Sequence, residues 1–416
     1  MSAASVAILL FQIPVILLVT GVCGELLERL RQPRIVGEIA GGLLLGPLAL
    51  GRLWPEAFEF LFPPTDLRPL EDVGTIGLAI FLFLVGSELD LGSLRRERGT
   101  VLGVTFGSIY LPFAFGASIA PALRSHFTTA SATALTFLLF VGVAMSINSM
   151  PLLDSIVQRR KASNRPVDAT VAATSLLSAA ANDLMVWAIL AVALALSVGS
   201  AAPGSFTVTW HTLLLLLIYV GGMLGVVRPL AKLLLTENAS TWALLMAAVP
   251  FAVLNAQISD ALGVHALFGA FLAGLCFPVR HTAWLQIEQP LRPFVQIAIP
   301  VFFALIGLRM DPTMLSRSSF GWFLLILAGA AIGKLAGATL AARASGMSWR
   351  FAGQTGALLN TRGLIALIVL TIGLQHGVLN PALYTLFVFM ALVTTAMTSP
   401  LLDLLTPAHD AKRIWS

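Results

Sequence analysis

Long apolar stretches, separated by short polar ones, follow one another along almost the whole chain. A helix that crosses a bilayer needs roughly 20 mostly apolar residues, and thirteen stretches reach or approach this length. The second and the ninth are short. The pattern therefore predicts an all-α integral membrane protein with about 13 transmembrane helices. These segments lie near residues 5–24, 35–51, 72–90, 99–120, 129–155, 167–197, 208–227, 241–259, 263–278, 293–308, 320–342, 353–375 and 383–405.

The composition supports the same class and argues against others. The 416 residues are 57% hydrophobic and only 11% charged, with a mean hydropathy of +0.90, whereas a soluble domain carries about 25% charged residues. The sequence contains no zinc-protease, P-loop, dinucleotide-binding or nucleophile-elbow motif. We therefore expect a membrane protein that is not an enzyme and that needs no cofactor.

The basic residues predict how these segments are oriented. Cytoplasmic loops collect Lys and Arg; with the N-terminus outside, 18 of the 25 basic residues fall on the inner side and 5 on the outer side. The net charge of +5 is thus a topology signal rather than a nucleic-acid surface. The first segment lacks a basic n-region and a convincing cleavage site, so it is predicted to be a true span. The prediction is a multi-pass protein of a bacterial inner membrane, with residues 406–416 as a short cytoplasmic tail.

The order of the segments predicts an internal symmetry. When the seventh segment, residues 208–227, is a linker, six segments precede it and six follow it. Because seven is odd, the second six enter the membrane from the opposite side, as in transporters with inverted repeats. The predicted transmembrane domain, residues 1–405, then consists of a first repeat at about 5–198 and a second at about 241–405.

The fifth segment of each predicted repeat contains polar residues together with Pro or Gly. These are "VGVAMSINSMPLL" in the first repeat and "TGALLNTRGL" in the second. Pro151 lacks an N–H and clashes with the carbonyl of Ile147, while Gly356 and Gly363 bracket the second polar patch. We predict that both helices are broken and cross at the midplane. An ordinary Pro kink and a Gly packing notch are the alternative.

One carboxylate lies deep in an apolar segment. Asp183 is the only formally charged residue between Asp168 and Arg228, about sixteen residues into the sixth segment. A buried carboxylate is costly unless a proton or a cation neutralises it. The sequence therefore predicts a site at which the two compete. Ser146, Asn148 and Asn182 supply neutral oxygens nearby, and we expect an alkali cation at Asp183 and Ser146.

Two basic residues also lie within predicted spans. Lys334 is the only charge in the eleventh segment, and we expect its partner to be Asp183, Asn182 or freed carbonyls of the twelfth segment. Arg362 lies inside the second break, where it can satisfy carbonyls and compensate the charge of a half-helix end. Packing without a role in transport is the alternative for both residues.

Seven blocks, in order, carry a resemblance to a known family. They are "QPRIVGEIAGGLLLGPLALGRL", "FLFLVGSELDL", "GVAMSINSMPLL", "HALFGAFLAG", "FFALIGLRMD", "GALLNTRGLIALIVLTIGL" and "ALVTTAMTSPLL". The chain resembles the monovalent cation:proton antiporter superfamily, with the sodium/hydrogen exchanger fold. Within it, the chain is similar to bacterial potassium-efflux-type antiporters and plant cation/H+ exchangers.

The resemblance implies an antiporter that exchanges Na+ or K+ for H+. It implies that Asp183, next to Asn182, carries the ion and the proton, that Ser146 holds the hydroxyl position of the crossed helices, and that Lys334 is the basic residue of the core. It further implies a homodimer and an elevator-like motion. At Asn148 the family motif has Thr, so the choice between Na+ and K+ does not carry over. A proton-coupled carrier of an organic solute and a cation channel are the alternatives.

Overall fold

The computed structural model describes residues 3–63, 67–89, 98–127, 132–163, 165–198, 206–234, 241–277, 281–315 and 317–406. Regular secondary structure in these ranges is exclusively helical, which confirms the predicted class. The helices are α1 (Ala3–Arg29), α2 (Arg34–Leu44), α3 (Leu50–Leu53), α4 (Pro55–Leu61), α5 (Arg68–Glu88), α6 (Arg98–Phe127), α7 (Ala134–Ser146), α8 (Met150–Ala162), α9 (Ala169–Val198), α10 (Phe206–Gly222), α11 (Arg228–Leu234), α12 (Thr241–Ala261), α13 (Ala266–Cys276), α14 (His281–Leu308), α15 (Arg317–Ala344), α16 (Trp349–Leu359), α17 (Leu364–Gln375) and α18 (Pro381–Leu404).

The number of helices that can cross a membrane is lower than the sequence predicted. Among the described residues, 10 segments are long and apolar enough, and the bent pair α16–α17 raises this to 11. The predicted segments 35–51 and 263–278 contain instead α2 and α13, which have 11 residues each. At 1.5 Å per residue such a helix is about 16 Å long, roughly half of the hydrocarbon thickness. The count of thirteen full spans is therefore not confirmed.

The predicted linker and tail have limited structural counterparts. The region around residues 208–227 forms α10, continues as a π-helical turn over Met223–Val227, and leads into α11. The predicted tail, apart from Thr406, lies outside the described residues.

The chain divides into two compact units. Unit 1 comprises Met1–Val19, Gly42–Asp90 and Ala191–Leu308; unit 2 comprises Thr20–Gly41, Leu91–Leu190 and Arg309–Ser416. In unit 1, α5 packs along α13 and α14, and α12 packs on α13. Phe83 and Phe277 meet edge to face in its apolar core, with ring centroids 5.6 Å apart.

Unit 2 has its largest helix contact between α6 and α15. Gly107 and Gly337 make this approach possible, because a Cβ on Gly107 would lie 2.5 Å from the carbonyl oxygen of Gly337. Small residues at such positions let two membrane helices pack backbone to backbone. Lys334 lies one turn before Gly337 on α15 and is fully buried. The close packing of α15 thus fixes the position of an intramembrane cation.

Both predicted helix interruptions are present, and both belong to unit 2. The first break separates α7 from α8 and comprises Ile147–Ser149, with Ser149 extended at φ −146°, ψ 101°. Pro151 is in the first turn of α8, where its missing N–H costs nothing, and it keeps the preceding residues from continuing a helix.

The second break lies between α16 and α17, which are bent by 44°. It comprises residues 360–363 and ends at Gly363, the N-cap of α17. Of the two glycines that bracket the polar patch in the sequence, Gly363 borders this break and Gly356 does not. Gly356 lies inside α16, where it leaves space for Thr339 of α15, and the helix continues for three more residues because no Pro interrupts it.

Candidate functional site

The first break obtains its hydrogen-bond partners from α9. The side chain of Asn182 donates to the carbonyl of Ser146 (3.2 Å) and accepts from the backbone N–H of Asn148 (3.2 Å). One amide thereby satisfies a carbonyl and an N–H that the interruption removes from the helical ladder. All three residues are fully buried. Asn182 therefore stabilises the broken backbone directly, in addition to its predicted place beside the carboxylate.

Asp183 lies at the middle of α9 and is only 1% exposed. Its Oδ2 accepts from the backbone N–H of Met150, the first residue of α8, at 3.4 Å. The amino-terminal end of a helix carries partial positive charge, so this placement favours a negative group. Its other oxygen, Oδ1, is buried and has no hydrogen-bond partner among the described residues. Half of the carboxylate is thus held in place and half is available to a ligand.

Lys334 has a different partner from the ones that the sequence suggested. Its ammonium donates to the carbonyl of Ser146, at the end of α7. The predicted partners were Asp183, Asn182 or carbonyls of the segment at 353–375; the hydrogen bond goes instead to the first break, while the charges of Lys334 and Asp183 still interact electrostatically. Among the described residues, Asp183 forms no ion pair. The carbonyl of Ser146, at the end of α7, accepts from both Lys334 and Asn182, since a carbonyl oxygen has two lone pairs.

Arg362 extends from the second break to the same end of α7. Its guanidinium donates to the carbonyls of Ala144 (2.8 Å) and Met145, and more weakly to that of Ala330 (3.5 Å). The residue is 1% exposed. The last carbonyls of α7 carry partial negative charge, and two buried cations, Arg362 and Lys334, therefore contact them.

The residues that close the second break were missed by sequence reasoning. Thr395 of α18 accepts from the N–H of Arg362 at 2.9 Å and donates to the carbonyl of the same residue. The side chain of Asn360 donates to the carbonyl of Thr394 at 3.1 Å. The sequence signal was the stretch "TTAMT" in the segment at 383–405, because hydroxyl groups at membrane depth need partners.

The remaining polar atoms of the first break define what the site can bind. Both side-chain polar atoms of Asn148 are buried without a hydrogen-bond partner, as is Oδ1 of Asp183. The hydroxyl of Ser146 donates within its own helix to Val143 at 3.2 Å, and its oxygen lone pairs remain. Carboxylate, amide and hydroxyl oxygens are ligands suited to hard cations. This set of oxygens can hold a proton or a small cation.

A membrane protein of many helices, two of which break where their ends meet buried polar groups, has the architecture of a secondary transporter. The family model described as sodium/hydrogen exchanger, transmembrane, matches residues 15–404. The chain belongs to this family, within the monovalent cation:proton antiporter superfamily, as its motifs indicated.

Several relatives support the assignment. The chain is 36% identical over 406 residues to cation/H(+) antiporter 17 of Arabidopsis thaliana, covering 95% of this chain and 48% of the relative. It is 32% identical over 416 residues to the Na(+)/H(+) antiporter NhaS4 of Synechocystis sp., covering 98% of this chain and 99% of the relative. The chain thus spans about half the length of the plant relative.

A solved structure shows the same fold. The sodium proton antiporter MjNhaP1 from Methanocaldococcus jannaschii matches with a TM-score of 0.68 and 16% identity, over 97% of this chain and all of that one. At this identity the match supports only the fold. The chemistry of the site has to be argued from the residues of this chain.

Proposed function

We propose that the protein exchanges a monovalent cation, Na+ or K+, for H+ across the membrane, with one buried carboxylate for which the two compete. The observation that carries the proposal is the unpartnered Oδ1 of Asp183 at the first helix break. An ionised carboxylate without a counter-ion is too costly to leave buried, so the site is expected to hold either a proton or a cation.

The neighbouring atoms support a cation as the second ligand. The side chain of Asn148 supplies an oxygen with no other partner, and Ser146 supplies a hydroxyl oxygen. Asn182 and the N–H of Met150 hold the backbone and the carboxylate in place without adding charge. Lys334 and Arg362 compensate the end of α7, which leaves the carboxylate to the transported ion.

Coupling follows from which states of the carboxylate are stable. When Asp183 is protonated or cation-bound, the site is neutral and can change its accessibility from one side to the other. The empty, ionised site is disfavoured at every stage of that change, so a cation can leave only if a proton or another cation replaces it. Raising the proton concentration is therefore expected to raise the apparent KM for the cation on the same side.

We further propose the inverted arrangement of two repeats, with the N-terminus outside and the C-terminus cytoplasmic. The 11-residue helices α2 and α13 occupy the second position of each proposed repeat, and the two breaks occupy the fifth. Shared irregularities at equivalent positions support a common origin of the halves. The homodimer and the elevator-like motion implied by the family remain part of the proposal.

Proton flux in proteoliposomes tests the function. A step of Na+, K+ or Li+ outside vesicles with purified protein should move protons, whereas choline should not, which separates an antiporter from a carrier of organic solutes. A channel would conduct the cation without moving protons in proportion.

Asp183→Asn provides the decisive variant. It should abolish exchange while the protein still inserts and elutes as the wild type does, because the amide can neither release a proton nor neutralise a cation. Asp168→Asn is the matched control, since Asp168 lies just before the same helix, where its carboxylate accepts from Thr170 (2.8 Å) and an amide oxygen can do the same. Wild-type exchange in Asp183→Asn would refute the mechanism.

A further inference from the structure

A basic cavity lies in unit 2 away from the proposed ion site. It has a volume of about 220 Å³ and is lined by Arg31, Arg159, Arg160 and Arg165, with Asp403 as the one acidic residue among the described lining residues. These side chains come from the α1–α2 loop, the end of α8, the segment after it, and α18. Three of the four guanidinium groups come from one basic stretch, residues 158–165, and tertiary structure adds Arg31 and Asp403 to the same space.

The acidic residue cannot neutralise this cluster. Asp403 pairs with Arg160 at 2.8 Å and with Arg165 at 3.6 Å, so two guanidinium groups share one carboxylate. Arg160 is only 9% exposed, and its Nε is buried without a partner. A guanidinium removed from water needs its hydrogen bonds satisfied. The cavity thus has an excess of positive charge, with the guanidinium of Arg160 buried and those of Arg31 and Arg165 exposed.

The other two arginines are held so that the cavity stays open. Arg159 donates to the carbonyls of Glu28 (2.6 Å) and Gln32, which lie on either side of Arg31. Arg31 itself adopts φ 61°, an uncommon conformation for a residue with a Cβ, and its backbone N–H donates to the carbonyl of Glu28 at 3.0 Å. Its guanidinium forms no hydrogen bond or ion pair with a described residue. Arg159 thereby anchors the α1–α2 loop. Arg31 presents a guanidinium that can bind a ligand.

We propose that this cavity binds a phosphate group, from either an anionic phospholipid headgroup or a free phosphate compound. Guanidinium groups match phosphate oxygens in geometry and charge, with two parallel N–H donors each. A phosphate compensates the excess charge and supplies acceptors to Arg31, Arg160 and Arg165. The charge bias of the loops assigns this end of unit 2 to the cytoplasm, where both sources of phosphate occur. The binding does not depend on the proposed exchange reaction.

Ligand-induced stabilisation of the purified full chain tests the proposal. In detergent, the midpoint of thermal unfolding should rise with sodium phosphate relative to sodium chloride at equal pH and ionic strength. In a second arm, protein extracted from vesicles of phosphatidylcholine with a minor fraction of phosphatidylglycerol should retain phosphatidylglycerol in native mass spectrometry. A response in the first arm alone identifies a free phosphate compound, and retention in the second identifies the lipid.

Three variants decide whether the cavity is the site. Arg165→Gln should weaken binding about tenfold through the loss of a charge-assisted hydrogen bond, while Asp403→Asn should strengthen it because two guanidinium groups lose their internal competitor. Lys161→Gln is the matched control: it removes a positive charge from the same end of α8 on an exposed residue outside the cavity. Each variant is compared with its own ligand-free baseline, so a change in basal stability does not affect the result.

The outcomes are distinct from those of the transport assay. Binding that Arg165→Gln weakens, Asp403→Asn strengthens and Lys161→Gln leaves unchanged supports the proposal whether or not the protein exchanges ions. Equal weakening by Arg165→Gln and Lys161→Gln would indicate diffuse attraction and overturn it, as would the absence of binding in both arms.

Discussion

The two helix breaks of unit 2 differ in what they leave open. At the first break, Asn182 and the backbone of Met150 bind their partners, yet the side chain of Asn148 and one oxygen of Asp183 remain without hydrogen bonds. At the second break, Thr395 bonds both backbone groups of Arg362, and the buried atoms left without hydrogen bonds among the described residues are Oδ1 of Asn360 and Nε of Arg362.

Their charges differ as well. The carboxylate of Asp183, on α9, lies at the first break, whereas the second contributes a cation, Arg362, whose terminal nitrogens donate to carbonyls of α7. The unpaired atoms at the first break therefore include a carboxylate oxygen, whereas those at the second are an amide oxygen and a nitrogen of the cation that bonds the end of α7. An unwound membrane helix is thus not by itself a cation site. The charge of the atoms that remain unpaired, a carboxylate at the first break and a guanidinium at the second, decides which break suits a cation.

The largest effect is expected from removing the guanidinium that links the breaks. Arg362→Gln should lower the free energy of unfolding by about 3 kcal/mol, since two buried carbonyls lose their partners at about 1–3 kcal/mol each. The measurement is the midpoint of thermal unfolding in detergent. Arg29→Gln is the control, because Arg29 forms only an exposed pair with Glu25, which contributes little. If Arg362→Gln is as stable as the wild type, the second break does not stabilise the first.

A smaller loss of stability should follow from adding a methyl group where the two breaks touch, at Gly363 and Ser149. A Cβ on Gly363 would lie 2.6 Å from Oγ of Ser149, so Gly363→Ala should cost about 2 kcal/mol by overpacking. Adding Ser149→Gly should restore part of it, as expected for a direct contact. Gly321→Ala, where a Cβ meets nothing within 4 Å, is the control and should be neutral or stabilising. Additive effects of the two substitutions would argue against the contact.

The ligand atoms of the first break should differ in importance. Asn148→Ala should weaken the apparent affinity for the cation about tenfold and Ser146→Ala about threefold, with smaller changes in maximal rate. The reason for the order is that the side chain of Asn148 is uncommitted, whereas the hydroxyl of Ser146 is bonded to Val143. Cation-dependent proton flux in proteoliposomes gives both constants. Unchanged affinity in both variants would move the cation away from the first break.

The smallest expected effect is that of membrane potential, for which we predict none. If Asp183 alone changes its charge state, one proton is exchanged for one cation and no net charge moves. If Lys334 also released a proton, one charge would cross per cycle, worth about 2.3 kcal/mol per 100 mV. The partner of Lys334 is a carbonyl rather than a carboxylate, which favours the first case.

Na+ flux in liposomes with a potassium–valinomycin potential measures this directly. A rate or equilibrium that follows the applied voltage would contradict one-for-one exchange and make Lys334 a second proton carrier.

The sequence by itself was enough for the properties that depend on local composition. Apolar length predicted the membrane class, Pro151 and the polar residues around it predicted the first break, and isolation among apolar residues singled out Asp183. Each follows from a rule that acts within a few turns of one helix, because bilayer thickness and the backbone hydrogen-bond ladder impose local requirements. The family was also readable from short blocks in order, and the comparisons confirm it.

Tertiary structure alone decided which groups meet. Lys334 binds the carbonyl of Ser146, 188 residues away, and Thr395 closes the backbone of Arg362. The sequence shows that such buried groups need partners but not which partners they find. Many polar groups are compatible with each requirement, and only helix packing, such as the close approach of α6 and α15, selects one. The sequence showed that the segments containing α2 and α13 are short, but not that they form half-length helices, because apolar residues suit a packed half-length helix as well as a full span.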